Sequence, residues 1–310
     1  MAYVFLVVGF ILLINGADFF VDGSSSVAKR LKVPSLIIGM TIVAMGTSLP
    51  ECSVSISASL SGSNALAISN AVGSNIFNLM VVCGFCALFC PLTVDKKTLK
   101  REFPFSVLIA IVLLILGSIE MVLGHLDGVM LLIIFVGFLY WMVVSAKKAR
   151  TEGADSEDEY EIMPIWKCII SIVGGMIAIV VGGDLVVDSA TIIAKNFGLS
   201  ENLIGLTIVA FGTSLPELVT SVVAARKKEV DMALGNVIGS NIFNILFVLG
   251  VAAAISPMTF IMENVIDIIV LVVMSVVVLI FAWSKQKIVR SEGIVMLLMY
   301  AAYMVYICKR

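Results

Sequence analysis

The hexapeptide Gly-Thr-Ser-Leu-Pro-Glu occurs twice in this chain, at 46–51 and again at 212–217, each time inside a long apolar stretch. A proline removes a backbone hydrogen bond from a helix, and a glutamate inside a membrane is costly unless something pairs with it. Irregular backbone at membrane depth is tolerated only where it is buried in protein or lines a cavity. The duplicated motif therefore predicts a polar site at the centre of a helical membrane protein.

The two hexapeptides belong to a longer internal repeat. A shift of 166 residues aligns 39–84 with 205–250 without a gap, and 23 of these 46 positions are identical. The match extends upstream through the pairs Gly16/Gly182, Asp18/Asp184 and Asp22/Asp188. The chain therefore consists of two copies of one unit.

The composition indicates that this unit lies in a membrane. Hydrophobic residues make up 60% of the chain, charged residues 14%, and the mean hydropathy is +1.12, well outside the range of soluble globular proteins. Because a helical crossing needs about 20 apolar residues, we expect an all-α integral membrane protein with ten transmembrane helices. The predicted spans are 3–24, 35–60, 65–90, 104–122, 127–146, 165–189, 202–225, 231–255, 264–283 and 292–308.

An odd number of spans per copy makes the second copy enter the membrane from the opposite side, so the fold is expected to contain two inverted five-helix repeats. The basic residues agree with this topology, because 17 of the 20 lysines and arginines fall in the loops after the odd-numbered spans or, for Lys167, at the edge of one. By the positive-inside rule those loops are cytoplasmic. The expected location is the cell (plasma or inner) membrane, multi-pass, with both termini outside.

The domain organisation follows from the repeat. Residues 1–146 form the first five-helix repeat, with its motif at 39–84, and residues 165–310 form the second, with its motif at 205–250. The segment 147–164 contains a run of acidic residues and is predicted to be a cytoplasmic linker.

Helical spacing groups the polar residues of each motif on one face. Thr47 and Glu51 are four residues apart and Ser48 and Glu51 three apart, and Thr213, Ser214 and Glu217 repeat this pattern. Pro50 and Pro216 are expected to kink their helices. Lys167, at the start of the sixth predicted span, is the one lysine or arginine within a span, so neither glutamate has a basic partner near the middle of the membrane. This favours a functional role for both glutamates.

The next span of each copy adds more oxygen atoms. Ser74 and Asn78 are four residues apart, as are Ser240 and Asn244. A single serine or asparagine in a membrane helix more often serves helix packing. If the second and third spans of both copies meet, however, the result is a cluster of oxygen ligands with two formal negative charges, which suits Ca²⁺ and also Na⁺.

Two further pairs of acids, Asp18/Asp22 and Asp184/Asp188, are also spaced four residues apart. They are expected either to line the cation entrance on the two sides of the membrane or to be solvated interfacial carboxylates, and the sequence favours neither alternative.

The duplicated Gly-Thr-Ser-Leu-Pro-Glu, followed by Gly-Ser-Asn-Ile-Phe-Asn, resembles the alpha repeats of the sodium/calcium exchanger family, within the cation/calcium antiporter superfamily. The resemblance covers the whole chain and is strongest to the small prokaryotic members. It implies a secondary active antiporter that exchanges Ca²⁺ for Na⁺ by alternating access. It also implies that helices 1 and 6 slide across the core to switch access.

The resemblance further implies a set of ion ligands, namely the backbone carbonyls of Ala44 and Ala210 and certain side chains. The side chains are those of Thr47, Ser48, Glu51, Ser74, Asn78, Thr213, Ser214, Glu217, Ser240 and Asn244. Several members of the family have aspartate where this chain has Asn244. The difference lowers the charge of the site by at most one and argues against potassium dependence.

Three other functions are kept in view. A Ca²⁺/H⁺ antiporter on the same fold is the nearest, because a membrane glutamate can exchange a proton as readily as Na⁺. A cation channel could be lined by the same oxygens. An intramembrane protease with paired acids is disfavoured, because the duplicated carboxylates are glutamates that follow proline. We therefore expect no enzyme, no cofactor and no nucleic-acid partner, but a monomer in the lipid bilayer with Ca²⁺ and Na⁺ as substrates.

Overall fold

The computed structural model describes residues 1–151, 163–198, 208 and 210–309. Within these residues the chain is almost entirely helical. The helices of the first half are α1 (Ala2–Leu31), α2 (Ser35–Thr47), α3 (Leu49–Leu60), α4 (Asn64–Phe89), α5 (Lys96–Lys100), α6 (Glu102–Glu120) and α7 (His125–Thr151). Those of the second half are α8 (Ile165–Asn196), α9 (Ala210–Gly212), α10 (Leu215–Arg226), α11 (Val230–Ile255), α12 (Met262–Lys285) and α13 (Arg290–Lys309).

The helices match the predicted membrane spans. Among the described residues, eight helical segments are long and apolar enough to cross a membrane, and α2 with α3 forms a ninth span if the bent pair is counted as one. The predicted span at 202–225 is described at residue 208 and from Ala210 onward, and the rest of it lies outside the described residues. The prediction of an all-α membrane protein is confirmed.

Three helix ends lie five or more residues past their predicted positions. Helices α1 and α8 continue to Leu31 and Asn196, seven residues past their predicted ends, and their extensions still contain buried residues, which are Ser25, Ser26 and Ala28 in α1 and Ala194 in α8. Helix α7 runs to Thr151, so the first five residues of the predicted linker are helical. The remainder of that segment up to residue 162 lies outside the described residues.

The first Gly-Thr-Ser-Leu-Pro-Glu motif breaks its helix rather than kinking it. Helix α2 ends at Thr47, Ser48 leaves helical geometry with φ −85° and ψ 13°, and α3 starts at Leu49 with its axis turned by 50°. Proline fits in the first turn of a helix, where its missing N–H has no intrahelical partner to lose. Ser214 has nearly the same conformation, φ −95° and ψ 6°, immediately before α10. Each motif therefore starts a new helix at membrane depth.

Helices α4 and α11 form the centre of the molecule. In each of them 78% of the most apolar window is buried, compared with 17–39% in the other long helices. They cross each other, and α2, α3 and α10 pack directly on them. The outer helices turn large apolar side chains outward, as expected for a surface that faces lipid.

Helices α1 and α8 form a closely packed antiparallel pair along one side of this centre. Glycines allow the close approach, since a Cβ atom on Gly16 would lie 2.9 Å from the carbonyl oxygen of Gly175, and one on Gly175 would lie 2.7 Å from that of Gly16. Gly9 and Gly182 approach each other in the same way two turns further along.

Two short antiparallel β-ribbons join the halves of the chain. Strand β1 (Leu92–Thr93) follows α4 and pairs with β4 (Lys287–Ile288), which follows α12. Strand β3 (Met258–Thr259) follows α11 and pairs with β2 (Val122–Leu123), which follows α6. The two ribbons are thus equivalent, because β3 and β2 are the counterparts of β1 and β4 in the other copy of the repeat.

Candidate functional site

The two motif glutamates are held by crossed hydrogen bonds between the copies. Ser48 donates its hydroxyl proton to Oε1 of Glu217 at 2.7 Å, and Ser214 donates to Oε1 of Glu51 at 2.9 Å. All four residues are fully buried or nearly so. The fold therefore places both carboxylates in one polar cluster between α4, α11 and the two helix breaks.

The helix breaks also supply favourable electrostatics. Glu51 lies in the first turn of α3, and Glu217 lies in the first turn of α10. The amino end of a helix carries partial positive charge from its unbonded N–H groups, which stabilises a carboxylate by about 0.3–1 kcal/mol. This gain is small beside the cost of burying two negative charges, so the cluster is well suited to a bound cation.

Neighbouring hydroxyl groups complete the surroundings of the glutamates. Ser74 on α4 donates to Oε1 of Glu51 at 3.4 Å. The hydroxyl of Thr47 lies 3.1 Å from Oδ1 of Asn236 and 3.2 Å from the carbonyl oxygen of Val43. These groups bring oxygen atoms of α2, α4 and α11 to the same depth.

Several oxygens of this cluster are buried without a hydrogen-bond partner in the described part of the chain. Such atoms are rare in folded proteins, because an unpaired buried polar group costs about 1–3 kcal/mol. Those of the predicted ligands are Glu51 Oε2, Asn78 Oδ1, Thr213 Oγ1, Glu217 Oε2, Ser240 Oγ and Asn244 Oδ1. Two carboxylate, two hydroxyl and two amide oxygens are the ligand types that hard cations select.

The two predicted carbonyl ligands lie in the last helical turn before each helix break. The carbonyl of Ala44 accepts hydrogen bonds from the backbone N–H of Ser48 at 3.1 Å and from the hydroxyl of Thr47 at 3.4 Å. Ala210 begins the short helix α9 directly before the second break. The structure thus places both next to their motifs.

Only two of the clustered groups carry a charge. Among the residues that the structure describes, no group of three or more histidine, cysteine, aspartate or glutamate side chains lies close enough together to hold a metal ion. A site of two carboxylates and many neutral oxygens can exchange its ion more readily than a site with several anionic ligands.

A cavity of about 400 Å³ leads from the surface toward the cluster on one side. It is lined by the predicted ligand Thr213, by Pro50 and Pro216, and by Asp184 and Asp188 on α8. These two aspartates are exposed, which fits both of the sequence alternatives, a cation entrance and solvated carboxylates.

The other pair of aspartates, Asp18 and Asp22, lies in the second half of α1 and is ion-paired. The ammonium group of Lys227 lies 2.6 Å from Oδ1 of Asp22 and 3.1 Å from Oδ1 of Asp18. The two sequence alternatives, a cation entrance or solvated interfacial carboxylates, did not include this lysine. Glu229 accepts hydrogen bonds from the hydroxyls of Ser25 and Ser35 beside it, and we call this region the basic end. A cavity of about 750 Å³ lies here, and none of the predicted ligands lines it.

The sequence interpretation missed six residues that support the cluster. Asn70 donates to the hydroxyl of Ser55 at 2.9 Å, and Asn236 donates to the hydroxyl of Ser221 at 2.9 Å. Asn75 and Asn241 hydrogen-bond across the two copies. All six are identical at equivalent positions of the two repeats, and that identity is the signal that could have found them.

A family model described as sodium/calcium exchanger protein matches residues 1–144 and 167–309 of the chain. The inner membrane protein YrbG of Escherichia coli is 40% identical over 267 residues, which are 83% of this chain and 81% of YrbG. The sodium/calcium exchanger MaX1 of Methanosarcina acetivorans is 32% identical over 350 aligned positions, which cover 98% of this chain and 97% of MaX1.

Solved structures show the same fold. The sodium-calcium exchanger NCX_Mj, from crystals soaked with 2.5 mM Na⁺ and 10 mM Sr²⁺, superimposes with a TM-score of 0.86 at 36% identity, covering 98% of both chains. The same exchanger soaked with zero Na⁺ and Ca²⁺ also gives a TM-score of 0.86.

Proposed function

Because this chain belongs to the sodium/calcium exchanger family, we propose that it is a secondary active antiporter that exchanges Ca²⁺ for Na⁺ by alternating access. The observation that carries the proposal is the crossed pair Ser48–Glu217 and Ser214–Glu51, which places two buried carboxylates among unpartnered oxygens. The names of MaX1 and NCX_Mj, and the Na⁺, Ca²⁺ and Sr²⁺ soaks of the latter, support the choice of ions.

The ligands are proposed to be the twelve residues named from the sequence. Ca²⁺ would be held chiefly by Glu51 and Glu217 with the hydroxyls of Thr47 and Thr213. Na⁺ would spread over the carboxylates, the serines and the carbonyls of Ala44 and Ala210. The two cations then compete for the same two carboxylates.

Competition for one set of carboxylates makes the exchange obligatory. With no cation bound, two negative charges face each other in a region that water does not reach, and this repulsion and desolvation penalise the transition between the two access states. A bound Ca²⁺ neutralises both charges, and so do monovalent cations. Only the cation-loaded protein would therefore switch between the two access states at a useful rate.

The topology of the proposal is ten spans in two inverted repeats, 1–146 and 165–310, joined by a cytoplasmic linker at 147–164. The equivalent β-ribbons and the matching helix breaks support the inverted arrangement. With the basic loops in the cytoplasm and both termini outside, the cavity that reaches Thr213 opens outward, and the cavity at the basic end is lined by none of the proposed ligands. The structure would then represent the outward-facing state.

Calcium uptake into proteoliposomes tests this function. Vesicles loaded with Na⁺ and diluted into Na⁺-free buffer should accumulate Ca²⁺, and a pH gradient without Na⁺ should not drive uptake. The variants Glu51→Gln and Glu217→Gln should each abolish uptake, whereas Glu120→Gln, which changes an exposed glutamate at the end of α6, should retain it. Uptake driven by the pH gradient alone would assign the chain to Ca²⁺/H⁺ antiport instead.

A further inference from the structure

Four asparagines form a hydrogen-bonded network where α4 crosses α11, with Asn75 and Asn241 as its central pair. The amide nitrogen of Asn75 donates to the backbone carbonyl of Asn241 at 3.1 Å, and that of Asn241 donates to the carbonyl of Asn75 at 3.3 Å. This central pair is therefore reciprocal between the two copies of the repeat.

The other two asparagines of the network are predicted ligands. The amide nitrogen of Asn78 donates to Oδ1 of Asn241 at 3.3 Å, and the amide nitrogen of Asn244 donates to Oδ1 of Asn75 at 3.1 Å. Asn78 and Asn244 also begin the π-helical turns of α4 and α11. Both side chains are fully buried, and their Oδ1 atoms have no hydrogen-bond partner among the described residues.

The orientation of these amides decides whether they attract or repel a cation. A carboxamide has an oxygen on one side and an NH₂ group on the other, and a half-turn of the terminal torsion exchanges the two. An NH₂ group directed at a cation is repulsive, while the oxygen is a ligand. A carboxylate at the same position would present oxygen in both orientations.

We propose that Asn75 and Asn241 are positioning residues that orient the ligand amides of the opposite copy. Asn75 accepts the NH₂ group of Asn244 and so directs Oδ1 of Asn244 to the ion. Asn241 does the same for Asn78. Each acceptor is itself locked, because its own NH₂ group is bound to a backbone carbonyl that cannot rotate.

The proposal rests on the proposed function, since it concerns the ligands of that ion site, and it extends that function to residues outside the ligand set. It explains how a site with asparagine at position 244 keeps an oxygen turned to the cation without a third negative charge. It also predicts that the coupling crosses between the copies, from Asn75 to Asn244 and from Asn241 to Asn78.

Calcium binding to purified wild-type and variant protein, measured by titration calorimetry in Na⁺-free buffer, tests the assignment. Asn75→Ala should raise the dissociation constant for Ca²⁺ about tenfold, because the amide of Asn244 is then free to rotate. In an Asn244→Asp background the same change should cost less than about twofold, since a carboxylate needs no orientation. In an Asn78→Asp background the full tenfold cost should persist.

A matched control separates positioning from packing. Asn264 is also buried and donates to Ser69 at 2.9 Å between the two copies, but it lies outside the site. Asn264→Ala should lower the melting temperature and leave the dissociation constant unchanged. If Asn75→Ala does not yield folded protein, Asn75→Ser can replace it. Asn241→Ala, compared in the wild-type and Asn78→Asp backgrounds, gives the equivalent test for the other copy.

Equal losses in the Asn244→Asp and Asn78→Asp backgrounds, or an unchanged dissociation constant in Asn75→Ala, would overturn the positioning role. If the variants show the crossed coupling but the wild-type protein exchanges Ca²⁺ for protons, the Na⁺-coupled function is overturned and the positioning role stays in place.

Discussion

Ser48 and Glu217, 169 residues apart in the chain, are joined by a hydrogen bond of 2.7 Å at the centre of the membrane domain. The corresponding bond between Ser214 and Glu51 is 2.9 Å. Each carboxylate is thus oriented by a hydroxyl of the other copy. A change in one half of the protein should therefore be felt as a loss of affinity in the other half.

Ser48→Ala and Ser214→Ala should each raise the KM for Ca²⁺ about tenfold or more, because a hydrogen bond to a charged group contributes about 1.5–3 kcal/mol. Initial rates of Na⁺-driven uptake over a range of Ca²⁺ concentrations measure the change. Ser118→Ala serves as a control, since that exposed serine bonds only to Leu114 of its own helix in the described structure. An unchanged KM in both site variants would contradict the assigned geometry.

Glu51→Gln should stabilise the ion-free protein while it abolishes transport. The substitution removes one of two buried charges that lack a counter-charge, and every kcal/mol of relieved repulsion raises the melting temperature by about 2–4 °C. Ca²⁺ should raise the melting temperature of the wild-type protein by binding its native state, and not that of the variant. A variant that melts below the wild type and is still stabilised by Ca²⁺ would show that Glu51 is not a ligand.

Lys227→Gln should loosen the basic end. The ion pairs with Asp18 and Asp22 are partly exposed, with the lysine side chain 29% and the aspartates 46% and 43% accessible. Since exposed pairs contribute about 0.2–1 kcal/mol each, the loss of both should raise the population of the state open at this end about two- to thirtyfold.

Alkylation of a cysteine introduced at Ser26, which lines the cavity at the basic end, reports this opening in a background without native cysteines. Lys227→Arg should keep the slow alkylation of the wild type, and so should Lys228→Gln, which changes the exposed neighbouring lysine. Equal alkylation rates in Lys227→Gln and the wild type would mean that these ion pairs do not hold the end closed.

Gly239→Ala should destabilise the protein strongly. A Cβ atom at this position would lie 2.5 Å from Cα of Met40 and 2.6 Å from its carbonyl oxygen, so the backbones of α2 and α11 would have to separate. Forced overpacking of this kind typically costs about 1–3 kcal/mol. Gly137→Ala on the exposed face of α7, where no described atom lies within 4 Å, should leave the melting temperature unchanged or raise it. Similar melting temperatures for the two variants would contradict the close packing.

Much of the helical architecture could be read from the sequence because a membrane leaves few choices. Backbone groups in the bilayer core must bond within their own segment, so every long apolar stretch is expected to be a helix. In the described residues, the predicted spans are indeed helical. The boundaries were less certain. The end of the apolar stretch does not mark the end of α1 or of α8, because these helices continue to Leu31 and Asn196.

The site was only partly visible in the sequence. Glu51 and Glu217 stood out because a buried charge without a basic partner is expensive whatever its neighbours. Asn75 and Asn241 did not, because asparagine is a common packing residue and its importance depends on which amide lies opposite. The ion-binding role of the twelve named residues stays a prediction.

The sequence by itself determined that this chain is a duplicated helical membrane protein with two paired glutamates, because periodicity, composition and repetition act over short stretches of chain. Only the tertiary structure decided that Ser48 binds Glu217 rather than Glu51, and that Lys227 pairs with Asp18 and Asp22. Partners so far apart in the chain meet only through the way the helices cross, and helix crossing is set by the packing of all the side chains together.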